Sequence, residues 1–161
     1  MADIFISYIH EEAAIAEAIQ TRLRDVYASQ KVFLSSDQWQ TFAGDIWFDR
    51  IRDELGAAKV VILLLSRRSV ARPWVNFEAG AAWLNGKKII PVCIGDMDKG
   101  DLPKPYSSIQ ALNLPEDHYY LLTSIAHQLG TVLSPPPGAT DNDPWLATLR
   151  RLINELFPPA V

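Results

Sequence analysis

The chain has 161 residues, of which 48% are hydrophobic and 21% are charged, and its formal net charge is −4. This length and balance predict one globular domain with a real core, and they exclude a disordered or fibrous chain. The mild acidity argues against recruitment by nucleic acid or by anionic membranes. The single cysteine, Cys93, excludes a disulfide framework and a cysteine-based zinc site and is typical of a reducing compartment. The longest apolar run falls far short of the ~20 residues that span a bilayer, and no basic segment of a signal peptide is recognisable, so we expect a cytoplasmic protein.

The pattern of apolar residues predicts strands and helices that alternate along the chain. The predicted strands cover 3–8, 31–35, 59–65, 87–94 and, more weakly, 109–114. The predicted helices cover 11–28, 45–55, 73–84, 116–129 and 143–156. This alternation, with a third strand that is apolar throughout, predicts an α/β fold with a flavodoxin-like five-stranded parallel sheet of order 2-1-3-4-5 and helices on both faces.

Prolines mark two boundaries in this scheme. The run Ser134–Gly138 divides a main domain over 1–133 from a linker and last helix over 134–161, which we expect to pack on or to extend the same domain. Asp143 is predicted to cap that last helix, with Pro144 in its first turn. Pro91 lies inside the fourth predicted strand, where it indicates a bulge or a position near an edge.

The expected strand order also predicts where a ligand binds. In such sheets ligands occupy the crevice at the carboxyl ends of the strands where the order reverses, here between the first and third strands. The loops after Tyr8 and Leu65 would form that crevice. No glycine-rich phosphate loop of the dinucleotide-binding or P-loop type is present in the sequence. The three histidines, His10, His118 and His127, have no neighbours in metal-ligand spacing, so no metal site is expected.

The most informative motif is Trp74-x-x-x-Glu78, at the start of the third predicted helix. Residues four apart share one helix face, so the carboxylate should lie one turn from the indole. A carboxylate that is partly desolvated beside an aromatic ring is able to stabilise a developing cation. Taken alone, the motif favours an ordinary amphipathic helix whose tryptophan is buried in the core and whose glutamate is solvated.

Four segments of the sequence, in order, resemble the characteristic boxes of Toll/interleukin-1 receptor (TIR) domains. These segments are Asp3–Tyr8, Val32–Leu34 with its following loop, Val61–Ser66 with Ser69, Trp74 and Glu78, and Lys88–Val92. The resemblance runs over roughly residues 3–130, and the Phe77–Gly80 stretch is more similar to bacterial members than to animal receptor adaptors.

This resemblance implies an NAD+ glycohydrolase or cyclase that cleaves the nicotinamide–ribose bond, with NAD+ as the substrate and no separate cofactor. The family's catalytic glutamate corresponds to Glu78. The NAD+ contacts that the resemblance implies are Ser7, Tyr8, Ile9, His10, Asp37, Trp39 (or Phe42 in the same loop) and Trp74. The product would be ADP-ribose or a cyclic isomer, and the family context would be bacterial antiviral defence by a homo-oligomer.

Two other functions remain open. The chain could serve as a non-catalytic module that works through TIR–TIR contacts, with a sensor or effector partner. It could also resemble a nucleoside deoxyribosyltransferase, which places a carboxylate at a ribose. The sequence departs from animal members in Ile9–Glu12, where basic residues are common, and it lacks a Phe-Trp third box, so a receptor adaptor is less favoured.

The chemistry that the resemblance implies is simple. Loss of nicotinamide leaves an oxocarbenium-like ribosyl cation, and one carboxylate that is ionised at neutral pH could stabilise it. The loop 36–44 carries Trp39 and Phe42 among polar residues. The resemblance implies that this loop meets a neighbouring copy and completes the site, and aromatic side chains on exposed loops are typical interface anchors. The alternative is that both rings fold back onto the core of their own domain.

Overall fold

The computed structural model describes residues 1–37, 47–133 and 143–160, with Trp47 described by its backbone alone. Within these ranges a parallel five-stranded sheet has the order β2-β1-β3-β4-β5, as predicted. The strands are β1 (Ile4–Tyr8), β2 (Val32–Ser36), β3 (Val60–Leu65), β4 (Lys88–Cys93) and β5 (Leu112–Asn113). The helices are α1 (Ala13–Val26), α2 (Trp47–Ala57), α3 (Pro73–Leu84), α4 (His118–Leu129) and α5 (Pro144–Leu156).

Strand alternation divides the core into two halves. Along β1, the side chains of Ile4, Ile6 and Tyr8 belong to the half that α1, α4 and α5 cover. Phe5 and Ile9 belong to the other half, against α2 and α3. Successive residues of a strand point to opposite faces, so Ser7 lies on the α2–α3 face.

The helix α5 packs on α1 and completes the first half of the core. Its Leu149 and Ile153 are buried there. The Asp143 side chain accepts a hydrogen bond from the Trp145 amide at 2.9 Å, which is the predicted N-cap. The same carboxylate accepts a hydrogen bond from Arg22 of α1 at 2.5 Å, so the cap also fixes the helix to its neighbour.

The fourth and fifth strands differ from the prediction in extent. Strand β5 has two residues rather than six, and it pairs only with Val92 and Cys93. Pro91 therefore lies in β4 with β3 on one side, opposite Leu63, and without a β5 partner on the other. No helix within the described ranges is long and apolar enough to cross a membrane.

Candidate functional site around Glu78

Glu78 is fully buried on the face of α3 that packs against the sheet. Val75, Ala79 and Ala82 are its buried neighbours on that helix, at the three- and four-residue spacings that form one helical stripe. The glutamate thus places an ionisable group within an otherwise apolar stripe. A solvated Glu78 on a merely amphipathic helix is excluded.

Two serines of adjacent strands hold the carboxyl group. Ser7 Oγ donates to Glu78 Oε1 at 2.7 Å, and Ser35 Oγ donates to Oε2 at 2.5 Å. The two serines are direct partners in the parallel register of β1 and β2, so both hydroxyls lie side by side on the face that α3 covers. All three residues are without solvent exposure.

Burial changes the protonation of this group. Desolvation raises the pKa of Glu78 from 4.5 to about 8, although hydrogen bonds from Ser35 and Ser7 oppose the shift. The nearby charge of Asp37 raises the pKa further, whereas the Trp74 indole lowers it without forming a hydrogen bond of standard geometry. With a pKa of about 8 this carboxyl group is mainly protonated at neutral pH, which differs from the expected ionised carboxylate.

A cavity of about 370 Å³ between α2 and α3 reaches Glu78. Its walls include Phe48, Ile51 and Phe77. Phe48 and Phe77 are 61% and 53% exposed, and each lies 5.9 Å, centroid to centroid, from the Trp74 ring. The aromatic cluster of Phe48, Trp74 and Phe77 therefore lies beside a mainly apolar cavity that Glu78 helps to line, although the glutamate itself has no solvent exposure.

A second group of side chains forms an ionic cluster beside this site. Arg72, which precedes α3, donates to Asp37 Oδ2 at 2.7 Å and to Glu11 Oε1 at 2.6 Å. The His10 amide donates to Asp37 Oδ1 at 2.8 Å, and the His10 ring Nδ1 lies 3.3 Å from the same oxygen. Arg72 thereby ties the start of α3 to the segments that follow β1 and β2.

This cluster also bears on metal binding. Ligand atoms of His10, Glu11 and Asp37 all lie within 4.8 Å of one another, a grouping that the sequence spacing did not indicate. Arg72 already pairs with both carboxylates, so its guanidinium supplies the positive charge that a cation would bring. Partial burial acts to raise the pKa of Glu11, but the hydrogen bond from Arg72 and the charges of Arg72 and His10 leave it below its usual value.

The residues inferred to contact NAD+ do not all lie together. Ser7 contacts Glu78, and Asp37 acts on it electrostatically. Tyr8 is buried on the opposite face of the sheet, among the α1-side core, and Ile9 is completely buried in the α3-side core. The Ile9 side chain is therefore fully enclosed and Tyr8 is only 8% exposed, because strand alternation and packing fix their directions.

The remaining predicted contacts either lie near the site or fall outside the described residues. His10 and Trp74 are partly exposed near the site, whereas Trp39 and Phe42 lie outside the described residues. Sequence reasoning missed Ser35 and Arg72. The available signal for Ser35 was its position opposite Ser7, as a polar residue in a neighbouring apolar strand. No local pattern indicates that Arg72 would bridge two acids.

Comparison with known proteins shows the family of the chain. The family model described as "TIR domain" matches residues 4–124, and the chain belongs to that family. No curated protein matches the sequence significantly.

Two solved structures share the fold. The TIR domain of the Toll-related receptor TRR-2 from Hydra magnipapillata superposes with a TM-score of 0.60 at 14% identity, covering 78% of this chain and 98% of that one. The TIR domains of the activated Roq1 resistosome, which directly recognises the pathogen effector XopQ, give a TM-score of 0.50 at 12% identity, covering 98% of this chain and 100% of that one. At these identities the likeness establishes the fold alone.

Proposed function

We propose that the protein cleaves the nicotinamide–ribose bond of NAD+, with Glu78 as its catalytic residue. The observation that supports this is a buried carboxyl group, held by Ser7 and Ser35, on a residue that lines a cavity between α2 and α3 beside a cluster of aromatic side chains. A carboxylate fixed in a water-poor site interacts strongly with positive charge that develops in a transition state.

The raised pKa of Glu78 is compatible with this role. The pyridinium of NAD+ is positively charged, and a nearby cation favours the ionised form of a carboxyl group. Substrate binding would therefore release the proton from Glu78 to solvent. The ribosyl C–N bond then breaks with its electron pair passing to nicotinamide, the carboxylate stabilises the ribosyl cation, and water adds to that carbon with loss of a proton.

Incubation of the purified protein with NAD+, with products identified by mass, tests the proposal. Nicotinamide and ADP-ribose, or a cyclic isomer, are expected from the wild type. Glu78→Gln should reduce turnover on the order of 10²–10³-fold, by analogy with the loss of one charge-stabilising group in other active sites.

The matched control is Glu17→Gln on the exposed face of α1, which should retain wild-type turnover. Equal turnover by a folded Glu78→Gln protein would overturn the assignment, and turnover of deoxynucleosides in place of NAD+ would favour a deoxyribosyltransferase.

The second candidate function is a non-catalytic interaction module. The observation in its favour is a set of large apolar side chains left in solvent along α2 and α3, namely Phe48, Phe77, Trp83 and Leu84. Exposed apolar patches mark interaction surfaces. Absence of NAD+ turnover together with self-association in light scattering would support this function.

We further propose that catalysis needs a homo-oligomer. The described cavity has little that could bind the adenine end of NAD+, and the loop with Trp39 and Phe42 follows Asp37 directly in the sequence. Specific activity should then rise with protein concentration, because assembly follows mass action. Trp39→Ala should abolish activity while leaving the melting temperature unchanged, and flat activity from a demonstrated monomer would contradict the idea.

A further inference from the structure

A second buried carboxyl group, Glu12, lies where the strand order reverses and takes no part in the Glu78 site. It ends the short helical turn after β1 and is 1% exposed. Its Oε1 accepts a short hydrogen bond from the Ser66 hydroxyl, directly after β3. The carboxyl ends of β1 and β3 are the place where open α/β sheets bind ligands.

The other oxygen of this carboxyl group lacks a partner. Glu12 Oε2 is buried, and no hydrogen-bond donor in the described part of the chain reaches it. Buried polar atoms of native proteins are nearly always paired. The Ser66 hydroxyl has a single proton, which it donates to Oε1, while its oxygen accepts a hydrogen bond from the Ser69 amide.

Glu12 lines a cavity of about 300 Å³. The C-terminal residues Leu156, Phe157 and Pro158 form its apolar wall, and Arg68 and Asp96 form the rest. This volume is at the lower end of the range for small-molecule pockets, about 300–1,000 Å³. Phe157 is held against the backbone of Gly95, where a Cβ atom would come within 2.2 Å of its ring, so the apolar wall is closely packed.

The charge around the cavity is mainly negative. A larger cavity of about 530 Å³ shares Asp96 and Phe157 with it and adds further acidic residues. Together the two cavities are lined by five acids, Glu12, Asp96, Asp98, Asp101 and Glu116, and by two arginines, Arg68 and Arg150. Desolvation raises the pKa of Glu12 to about 7 against the hydrogen bond from Ser66, and the charges of Glu11 and Asp96 raise it further.

We propose that this cavity, lined by Glu12, Arg68, Asp96 and Phe157, binds a small organic cation whose N–H group donates to Glu12 Oε2. An ammonium or guanidinium group supplies both the missing donor and the missing positive charge. A short aliphatic body would lie against Leu156, Phe157 and Pro158. The proposal does not depend on NAD+ cleavage.

Calorimetric titration of the full chain with agmatine, which carries a guanidinium and an ammonium on a short aliphatic chain, tests the site. Glu12→Gln keeps an oxygen for Ser66 but places an amide donor where Oε2 stands, so agmatine should bind at least about tenfold more weakly, which corresponds to about 1.4 kcal/mol. Asp96→Asn retains an acceptor for the Arg67 amide and should also weaken binding. The control, Glu17→Gln, removes the same charge from an exposed site and should bind as the wild type does.

The outcomes separate the possibilities. Wild-type binding that both cavity variants weaken and the control retains would support the proposal. If circular dichroism shows that Glu12→Gln is unfolded, the comparison of Asp96→Asn with the control decides. Absence of binding at millimolar agmatine, equal binding by all four proteins, or binding of inorganic phosphate in place of agmatine would each overturn it.

Discussion

Replacement of Glu78 by glutamine should change how the stability of the fold depends on pH. The folded-state pKa of Glu78 is raised to about 8 from 4.5, so between these values the native protein holds a proton that the unfolded chain has lost. Stability from a raised carboxyl pKa is fully present below the unfolded value and disappears as pH rises through the folded value. The wild type should therefore lose stability as pH increases from about 4.5 to about 8.

The size of the effect follows from the shift. One pKa unit corresponds to about 1.4 kcal/mol, so a pKa raised from 4.5 to about 8 is worth on the order of 5 kcal/mol across the whole interval. The amide introduced by Glu78→Gln mimics the protonated acid, since it remains neutral and offers one acceptor and one donor group to Ser7 and Ser35. The free energy of unfolding of Glu78→Gln, relative to wild type, should rise by about 1.4 kcal/mol per pH unit in this window.

Urea unfolding followed by circular dichroism, at intervals between about pH 5 and about pH 8, measures this difference. Glu12 contributes a slope of the same sign in both proteins, because its pKa is also raised, to about 7, so it cancels in the comparison. The control Glu17→Gln should parallel the wild type. A constant difference between Glu78→Gln and wild type over the window would refute the reasoning and show that Glu78 is ionised in the native fold.

Three further outcomes are expected. If the ionised form of Glu78 acts on NAD+, kcat/KM should rise with pH and level off above about pH 8, and a profile flat from about pH 6 would contradict this. Ser35→Ala removes a donor that lowers the pKa of Glu78, so it should move that profile to higher pH, whereas an unchanged midpoint would show that Ser35 has only a structural role. Asp143→Ala removes both the N-cap of α5 and the ion pair with Arg22, at a cost of roughly 3 kcal/mol in urea unfolding. Asp143→Asn keeps the cap and should recover about 1 kcal/mol, and equal loss in both variants would assign the whole effect to the ion pair.

The fold was predictable because its signals are local and repeated. The structure agrees with three such signals: the apolar run of β3, the apolar residues at helical spacing, and the Asp143-Pro144 cap of α5. Strand β5 was the exception, because two residues of pairing leave no periodic signal. The prediction of β4 placed Pro91 at a bulge or edge, and its missing β5 partner gives the physical reason.

The candidate site was predictable only in part. Glu78 could be singled out from its spacing to Trp74, but its burial depends on Ser7 and Ser35, which belong to strands far apart in sequence. The directions of Tyr8 and Ile9 depend on where β1 begins, and they put the two side chains in opposite halves of the core. The pairing of Arg72 with Glu11 and Asp37 joins three separate loops, and no sequence pattern encodes such a contact.

The short pairing of β4 with β5 affects how this chain resists aggregation through strand pairing. The outer side of β4 before Val92 is an open strand edge, of the kind that templates uncontrolled strand addition and aggregation. Pro91 has no amide hydrogen to offer an incoming strand, and Lys88 puts an exposed charge at the same edge. Both features discourage intermolecular sheet growth. Ordered association on this side of β4 would therefore depend on helix and loop contacts, which, unlike backbone pairing, depend on side-chain identity.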